Sequence, residues 1–192
     1  GGTPSCLELA LLEKLLKKLQ ALKINFTEYT IEINPEDLNE QLVDILVKYG
    51  INRVSLGLQT TSGKLNLIIN RTFLFERFNK AYQYLKTKMN NINIDLMYGI
   101  PSQTLDDLKD TIDFVLTLKP THLSIYSLII ENKTLIKKQI DEGIIEPVSE
   151  DLELTMVDLI HNLIFPQYYQ YEVSNYALKA DVDYRSKHNL KY

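Results

Sequence analysis

Four stretches of this chain alternate apolar and polar residues with a period of two, and helical periodicities separate them. Ile31 and Ile33 oppose Thr30, Glu32 and Asn34, while Val54, Leu56 and Leu58 oppose Ser55, Gly57 and Gln59. Ile92, Ile94, Leu96 and Tyr98 oppose Asn93, Asp95 and Met97, and Leu123 and Ile125 oppose Ser124 and Tyr126. Successive side chains of a strand point to opposite faces, so each strand carries one apolar face and one polar face. Strand–helix alternation implies βαβ units, a mainly parallel sheet and right-handed crossovers. A sheet covered by helices on both sides would need two apolar faces. These strands fit instead a barrel or part-barrel with its helices outside. A closed barrel fills its interior with branched apolar side chains. A polar interior therefore points to an open barrel that holds a polar ligand.

The remaining elements follow from local signals. Ser5 with Glu8 predicts a capping box for a helix with Leu12, Leu15, Leu19 and Leu22 on one face. A strand is predicted over residues 28–33. Asn34-Pro35 then predicts an N-cap and N1 proline for a helix stopped by Gly50. Strands are predicted over 53–59, 91–98, 122–129 and 169–176. Helices are predicted over 75–89, from Leu105 to the stop at Pro120, and over 132–142 and 149–165.

Composition excludes several classes. The chain has 192 residues, 45% of them hydrophobic and 24% charged, which suits a folded domain and not a disordered one. The net charge of −4 lacks the basic excess of a nucleic-acid surface. No apolar run is long enough to span a bilayer. The single cysteine, Cys6, excludes an intrachain disulfide and an all-cysteine metal cage. Gly1-Gly2-Thr3-Pro4 opens the chain without a methionine or a leader, as expected of a piece of something longer.

Candidate site residues follow from parity and chemistry. Gly1, Gly2 and Thr3 precede a helix with unobstructed backbone amides, suited to gripping a ligand, although a plain tight turn reads equally. Glu32, Gln59 and Asp95 fall on the inward parity toward the C-terminal ends of strands, where barrels keep their chemistry. Arg71 follows a short helix and could clasp a carboxylate, or lie solvated on the surface. His161 reads as a packing residue, His122 opens a strand, and His188 lies in a loop.

Taken together, these motifs resemble the radical S-adenosylmethionine (SAM) proteins related to oxygen-independent coproporphyrinogen III oxidase, and most closely their HemW-type haem chaperone branch. The resemblance rests on Gly1–Ser5, Ile31–Glu36, Arg53–Gln59, Asn70-Arg71-Thr72, Asn93–Pro101 and Tyr126-Ser127-Leu128, followed by Tyr171–Ala177 and His188–Tyr192. It implies a partial (β/α)6 TIM-like barrel over residues 1–165, without its first strand and cluster loop. Residues 166–192 would open an accessory region. It also implies SAM contacts from Gly1, Gly2, Thr3, Glu32, Gln59, Arg71 and Asp95. The ligand's amine, carboxylate, ribose and sulfonium suit carboxylates, an amide and an arginine. In the family a 4Fe–4S cluster on a C-x3-C-x2-C loop binds SAM, and its open iron explains why three cysteines are used. That loop precedes the Gly-Gly-Thr-Pro segment, so Cys6 is no substitute and this chain should hold no cluster.

His188 and Tyr192 match the chaperone's haem-associated motif, which implies binding of haem and its delivery to haem proteins in the cytoplasm, with organellar import left open. Phe73 departs from the histidine frequent in that branch. The alternative is a coproporphyrinogen III dehydrogenase, which shares the SAM residues. A third reading is an unrelated barrel enzyme with a phosphorylated or amino-acid ligand. The His188 segment stands at the edge of the chain, where it could be disordered and bind haem weakly or not at all.

Overall fold

The strands form a single six-stranded sheet in the order β1-β2-β3-β4-β6-β5. Its members are β1 (Thr30–Ile33), β2 (Arg53–Gln59), β3 (Ile92–Tyr98), β4 (His122–Ser127), β5 (Tyr168–Glu172) and β6 (Asn175–Leu178). The computed structural model describes residues 3–72 and 74–191, so Gly1, Gly2, Phe73 and Tyr192 lie outside the described residues. Strands β1 to β4 pair in parallel, as their alternation with helices predicts. The segment expected as one strand near 169–176 is instead a hairpin, β5–β6, with β6 antiparallel to β4. Val173 and Ser174 make its turn without the glycine or Asn-Gly that marks a hairpin in sequence. The sheet thus crosses the boundary expected at residue 165.

The helices are α1 (Leu9–Ala21), α2 (Glu40–Lys48), α3 (Gly63–Ile68), α4 (Phe75–Lys88), α5 (Leu105–Leu118), α6 (Leu135–Asp141) and α7 (Glu150–Ile164). Together with the apolar strand face they build one core. In it Ile33, Val54, Leu56, Ile94 and Leu123 meet Leu42, Leu46, Tyr82, Leu85, Ile112 and Ile160. The opposite strand face is left polar. This is the α/β part-barrel with helices outside that the one-sided strands require. Among the described residues no helix is long and apolar enough to cross a membrane.

Three local expectations are corrected. The Ser5–Glu8 capping box does not form, because Ser5 Oγ donates to Asp37 Oδ2 at 2.7 Å and accepts from the Asn34 backbone at 3.2 Å. Ser5 thereby ties a 3-10 turn, Pro4–Cys6, to the end of β1, and α1 starts later, at Leu9. The buried stripe of α1 is Leu12 and Leu16, four residues apart on one side, while Leu15 and Leu22 stay exposed. Helix α2 is capped by Asn39, which accepts from Leu42 N at 2.9 Å, and not by Asn34. Asn34 and Pro35 instead make a turn in which the backbone N–H of Asp37 donates to the Asn34 carbonyl at 3.0 Å. Asn39→Ala should cost about 1 kcal/mol, read as a lower denaturation midpoint with an unchanged slope. Gly50, at φ 78°, stops α2 as predicted, since only glycine takes that conformation without strain.

Candidate functional site

The polar strand face lines a cavity of about 600 Å³. Glu32 of β1, Ser55 of β2, Asp95 of β3, Tyr126 of β4 and Asn175 of β6 all reach it, so the sheet curves around one concave site. Pro4 and His188 line the same cavity. The inward parity read from the sequence therefore brings Glu32 and Asp95 together. Asp95 lies at the middle of β3, paired with Ser124, and not near the strand's end as expected.

Gln59 and Arg71 meet beside this cavity at the end of β2. The register between β2 and β3 slips between Leu56 and Gln59, and Gln59 takes φ 65°, a strained conformation for a residue with a side chain. The slip places the Gln59 amide and the Arg71 guanidinium over Gly57. A Cβ on Gly57 would stand 3.3 Å from Gln59 Nε2 and 3.5 Å from Arg71 Nη1. Arg71 Nη1 donates to the Gly57 carbonyl at 2.6 Å, so this arginine is half-buried and directed, not a solvated surface group. Gln59 Oε1 is buried and accepts no hydrogen bond among the described residues. A buried acceptor without a donor is costly, and a ligand hydroxyl or amine would satisfy it.

Thr3 stands next to Pro4 at the cavity and its carbonyl accepts from Cys6 N at 3.1 Å. Gly1, Gly2 and Tyr192, the other residues implicated by sequence, lie outside the described residues. The segment carrying His188 is docked, contrary to the expectation of disorder. Ser186 Oγ and His188 N donate to Glu28 Oε1 at 3.0 and 3.3 Å, and Lys187 N donates to Glu28 Oε2 at 2.8 Å.

The electrostatics are those of a negative cavity with one deep cation. Asp95 accepts from Asn93 Nδ2 at 2.6 Å and from Ser55 Oγ at 2.9 Å. Burial raises its pKa against the lowering effect of those bonds. Burial and then the Asp95 charge raise the Tyr126 phenol far above its ordinary value, with Glu32 adding to the effect. Arg53 is 5% exposed, its pKa lowered by burial and supported by the charges of Glu28, Tyr171 and Asp95. His122 is fully buried, with Nδ1 2.6 Å from Asn93 Oδ1 and Nε2 2.6 Å from Tyr171 Oη. Sequence reasoning singled out neither Arg53 nor this His122 chain. Both sit on the inward parity, but their partners come from register and from residues far away in sequence. His161 is the packing residue expected, stacked on Phe165 at 4.5 Å.

The groups implied by resemblance fare differently. Carboxylates of Glu32 and Asp95, the guanidinium of Arg71 and the unsatisfied Gln59 Oε1 suit the amine, carboxylate and hydroxyls of SAM. The iron–sulfur cluster does not fit this chain's residues. The one cysteine is exposed, its sulfur accepts from Asn34 Nδ2 at 3.2 Å, and no metal-ligating cluster occurs among the described residues.

Comparison with known proteins agrees with this geometry. Residues 1–115 match the family described as the Radical SAM superfamily. Over its whole length the chain is 35% identical to a protein of Lactococcus lactis named heme chaperone HemW, of which it covers 51%. An oxygen-independent coproporphyrinogen III oxidase of Pseudomonas aeruginosa is 33% identical over 66% of this chain and 29% of that protein. The structure of the Escherichia coli coproporphyrinogen III oxidase HemN superposes with a TM-score of 0.83 at 26% identity, covering 94% of this chain and 42% of that one. The chain spans about half the length of the HemW relative it matches. With a family match over more than half its residues and the part-barrel architecture to accompany it, the chain belongs to the radical SAM superfamily.

Proposed function

We propose that the whole protein is a haem chaperone of the HemW type, which binds SAM against the polar strand face and presents haem for transfer to haem proteins. The observation that carries this reading is the docking of the His188 segment on Glu28, at the same cavity that Glu32 and Asp95 line. The reach of the likenesses supports it. The Lactococcus chaperone is 35% identical along the entire chain, the Escherichia coli oxidase 26% identical along 94% of it.

In this reading Glu32 and Asp95 accept hydrogen bonds from the SAM amine, and Arg71 pairs with its carboxylate. Gln59 Oε1 takes a donor from the ribose or the amine, which relieves a buried acceptor that the described residues leave open. SAM, held here by Glu32, Gln59, Arg71 and Asp95, would supply a sulfonium centre. Gly1, Gly2 and Thr3 complete the site on the family pattern. His188, whose imidazole carries a ring nitrogen able to ligate iron, is the proposed haem ligand of this chain, and Tyr192 belongs to the same motif.

Haem titration of the full-length protein tests the reading. His188→Ala should weaken haem binding by roughly tenfold or more, or shift the Soret band, while leaving SAM affinity unchanged. Wild-type haem affinity and spectrum in that variant would remove His188 as a ligand. A full-length protein that decarboxylates coproporphyrinogen III and binds no haem would make it a dehydrogenase instead.

A further inference from the structure

The polar floor of the cavity is one hydrogen-bonded chain, and its direction is fixed at one end. The backbone N–H of Ser186 donates to Tyr171 Oη at 3.1 Å, and Asn189 Nδ2 donates to it at 3.3 Å. A backbone N–H can only donate. With donors on its lone pairs, the phenol gives its own proton to His122 Nε2, 2.6 Å away. Nε2 is then the acceptor, and the proton of the neutral ring sits on Nδ1. Burial, followed by the Arg53 charge, lowers the His122 pKa to about 3, so the ring is neutral near pH 7.

Donation from Nδ1 fixes the amide of Asn93, whose Oδ1 lies 2.6 Å away. Asn93 Nδ2 is thereby turned toward Asp95 Oδ1 at 2.6 Å and Ser55 Oγ at 2.7 Å. Ser55 passes its own proton to Asp95 Oδ2 at 2.9 Å. The opposite tautomer would set a bare Nδ1 against Asn93 Oδ1, or turn the amide so that its carbonyl faced the Asp95 carboxylate. Ser124 Oγ, which donates to the same Oδ1 at 3.2 Å, supports the orientation that Nδ1–H favours.

We infer that His122 is a positioning residue for Asp95. Through Asn93 it holds the Asp95 carboxylate as a double acceptor on the cavity wall, and docking of residues 186–189 on Tyr171 selects the tautomer that allows it. The two ends of this chain are the segment bearing His188 and the carboxylate assigned to SAM. The inference rests on the proposed role of Asp95 in binding SAM.

Two substitutions separate positioning from mere packing. His122→Asn keeps an amide nitrogen where Nδ1 lies and can still donate to Asn93. His122→Gln carries its amide out toward Tyr171 and drops that donor. Measured by calorimetry on the full-length protein with SAM as the probe, affinity should fall about tenfold in His122→Gln and stay within about threefold in His122→Asn. Tyr171→Phe, which retains the ring and frees the tautomer, should also weaken SAM binding several-fold. Its nitrogen-15 spectrum should gain the Nε2–H form, where the wild type shows Nδ1–H alone.

Equal losses in the two His122 variants would overturn the inference, as would an Nε2–H tautomer in the wild type. If His122→Gln does not fold, Tyr171→Phe decides alone, and wild-type affinity with an unchanged tautomer counts against it. Asp95→Asn keeps the two failures apart. Unchanged SAM affinity there removes Asp95 from the SAM site, and the inference with it, whereas a loss there without one in His122→Gln removes only the inference.

Discussion

Acidification from pH 6.5 to pH 4 is expected to cost the folded protein about 3 kcal/mol through His122 alone. The ring is fully buried, and burial first, then the Arg53 charge, lowers its pKa to about 3. In the unfolded chain it takes a proton at the ordinary value of 6.5. Below that pH the unfolded state binds the proton that the folded state refuses, so stability falls as the pH falls, until the folded ring also protonates near 3. Asp95 works in the opposite sense. Its raised pKa means the folded state protonates before the unfolded one, which adds stability as the pH drops through that range. The wild-type slope sums these with the other shifted groups, among them the lowered carboxyls of Asp107, Glu172 and Asp183. His122→Asn isolates the histidine part, because it removes the titrating ring and keeps a donor for Asn93. Urea midpoints at pH 7, 5.5 and 4 should converge on those of wild type with acid, as the variant lacks the loss. Parallel curves for the two proteins would show that the folded ring takes up its proton as the unfolded one does, against a lowered pKa for His122.

Removing the charge from Glu32 or Asp95 is expected to weaken SAM binding by roughly 10- to 150-fold. A charge-assisted hydrogen bond contributes roughly 1.5–3 kcal/mol, and about 1.4 kcal/mol corresponds to a factor of ten. Both carboxylates line the same cavity, so the full-length variants Glu32→Gln and Asp95→Asn test one site from two strands. Their amides retain the shape and lose the charge. Calorimetry reads the affinity directly, and unchanged values in both variants would count decisively against a SAM site here.

The strands were the legible part of the fold, for a physical reason. The run from Arg53 to Gln59 alternates strictly and is bounded by polar residues, so its limits in sequence and structure coincide. The start of α7 was equally local: a helix was predicted from residue 149, and the Ser149 hydroxyl caps it by accepting from Leu152 N. The Asn34-Pro35 signal misled because the turn at the end of β1 uses the same residues as a helix start. The β5–β6 hairpin was hidden by a turn without a characteristic dipeptide. For the site, side-chain parity placed Glu32 and Asp95 on one face. It could not show that His122 meets Tyr171, 49 residues on, nor that Gln59 leaves the regular strand conformation. Those facts arise from register and from a bulge, which composition does not encode.

The Glu28 clamp joins residues 158 to 160 positions apart, across the breadth of the molecule. Joining distant points of a chain costs more loop-closure entropy than pairing neighbouring βα units, so this closure belongs late in folding. Strands β1 to β4 and their helices can collapse on local contacts before residue 186 arrives. Until it does, the Glu28 carboxylate lacks these three donors, and Tyr171 lacks the two that orient its proton. The protein thus acquires its barrel first and its finished binding surface last. A folding intermediate with native secondary structure and a SAM affinity weakened several-fold is the expected kinetic signature of that order.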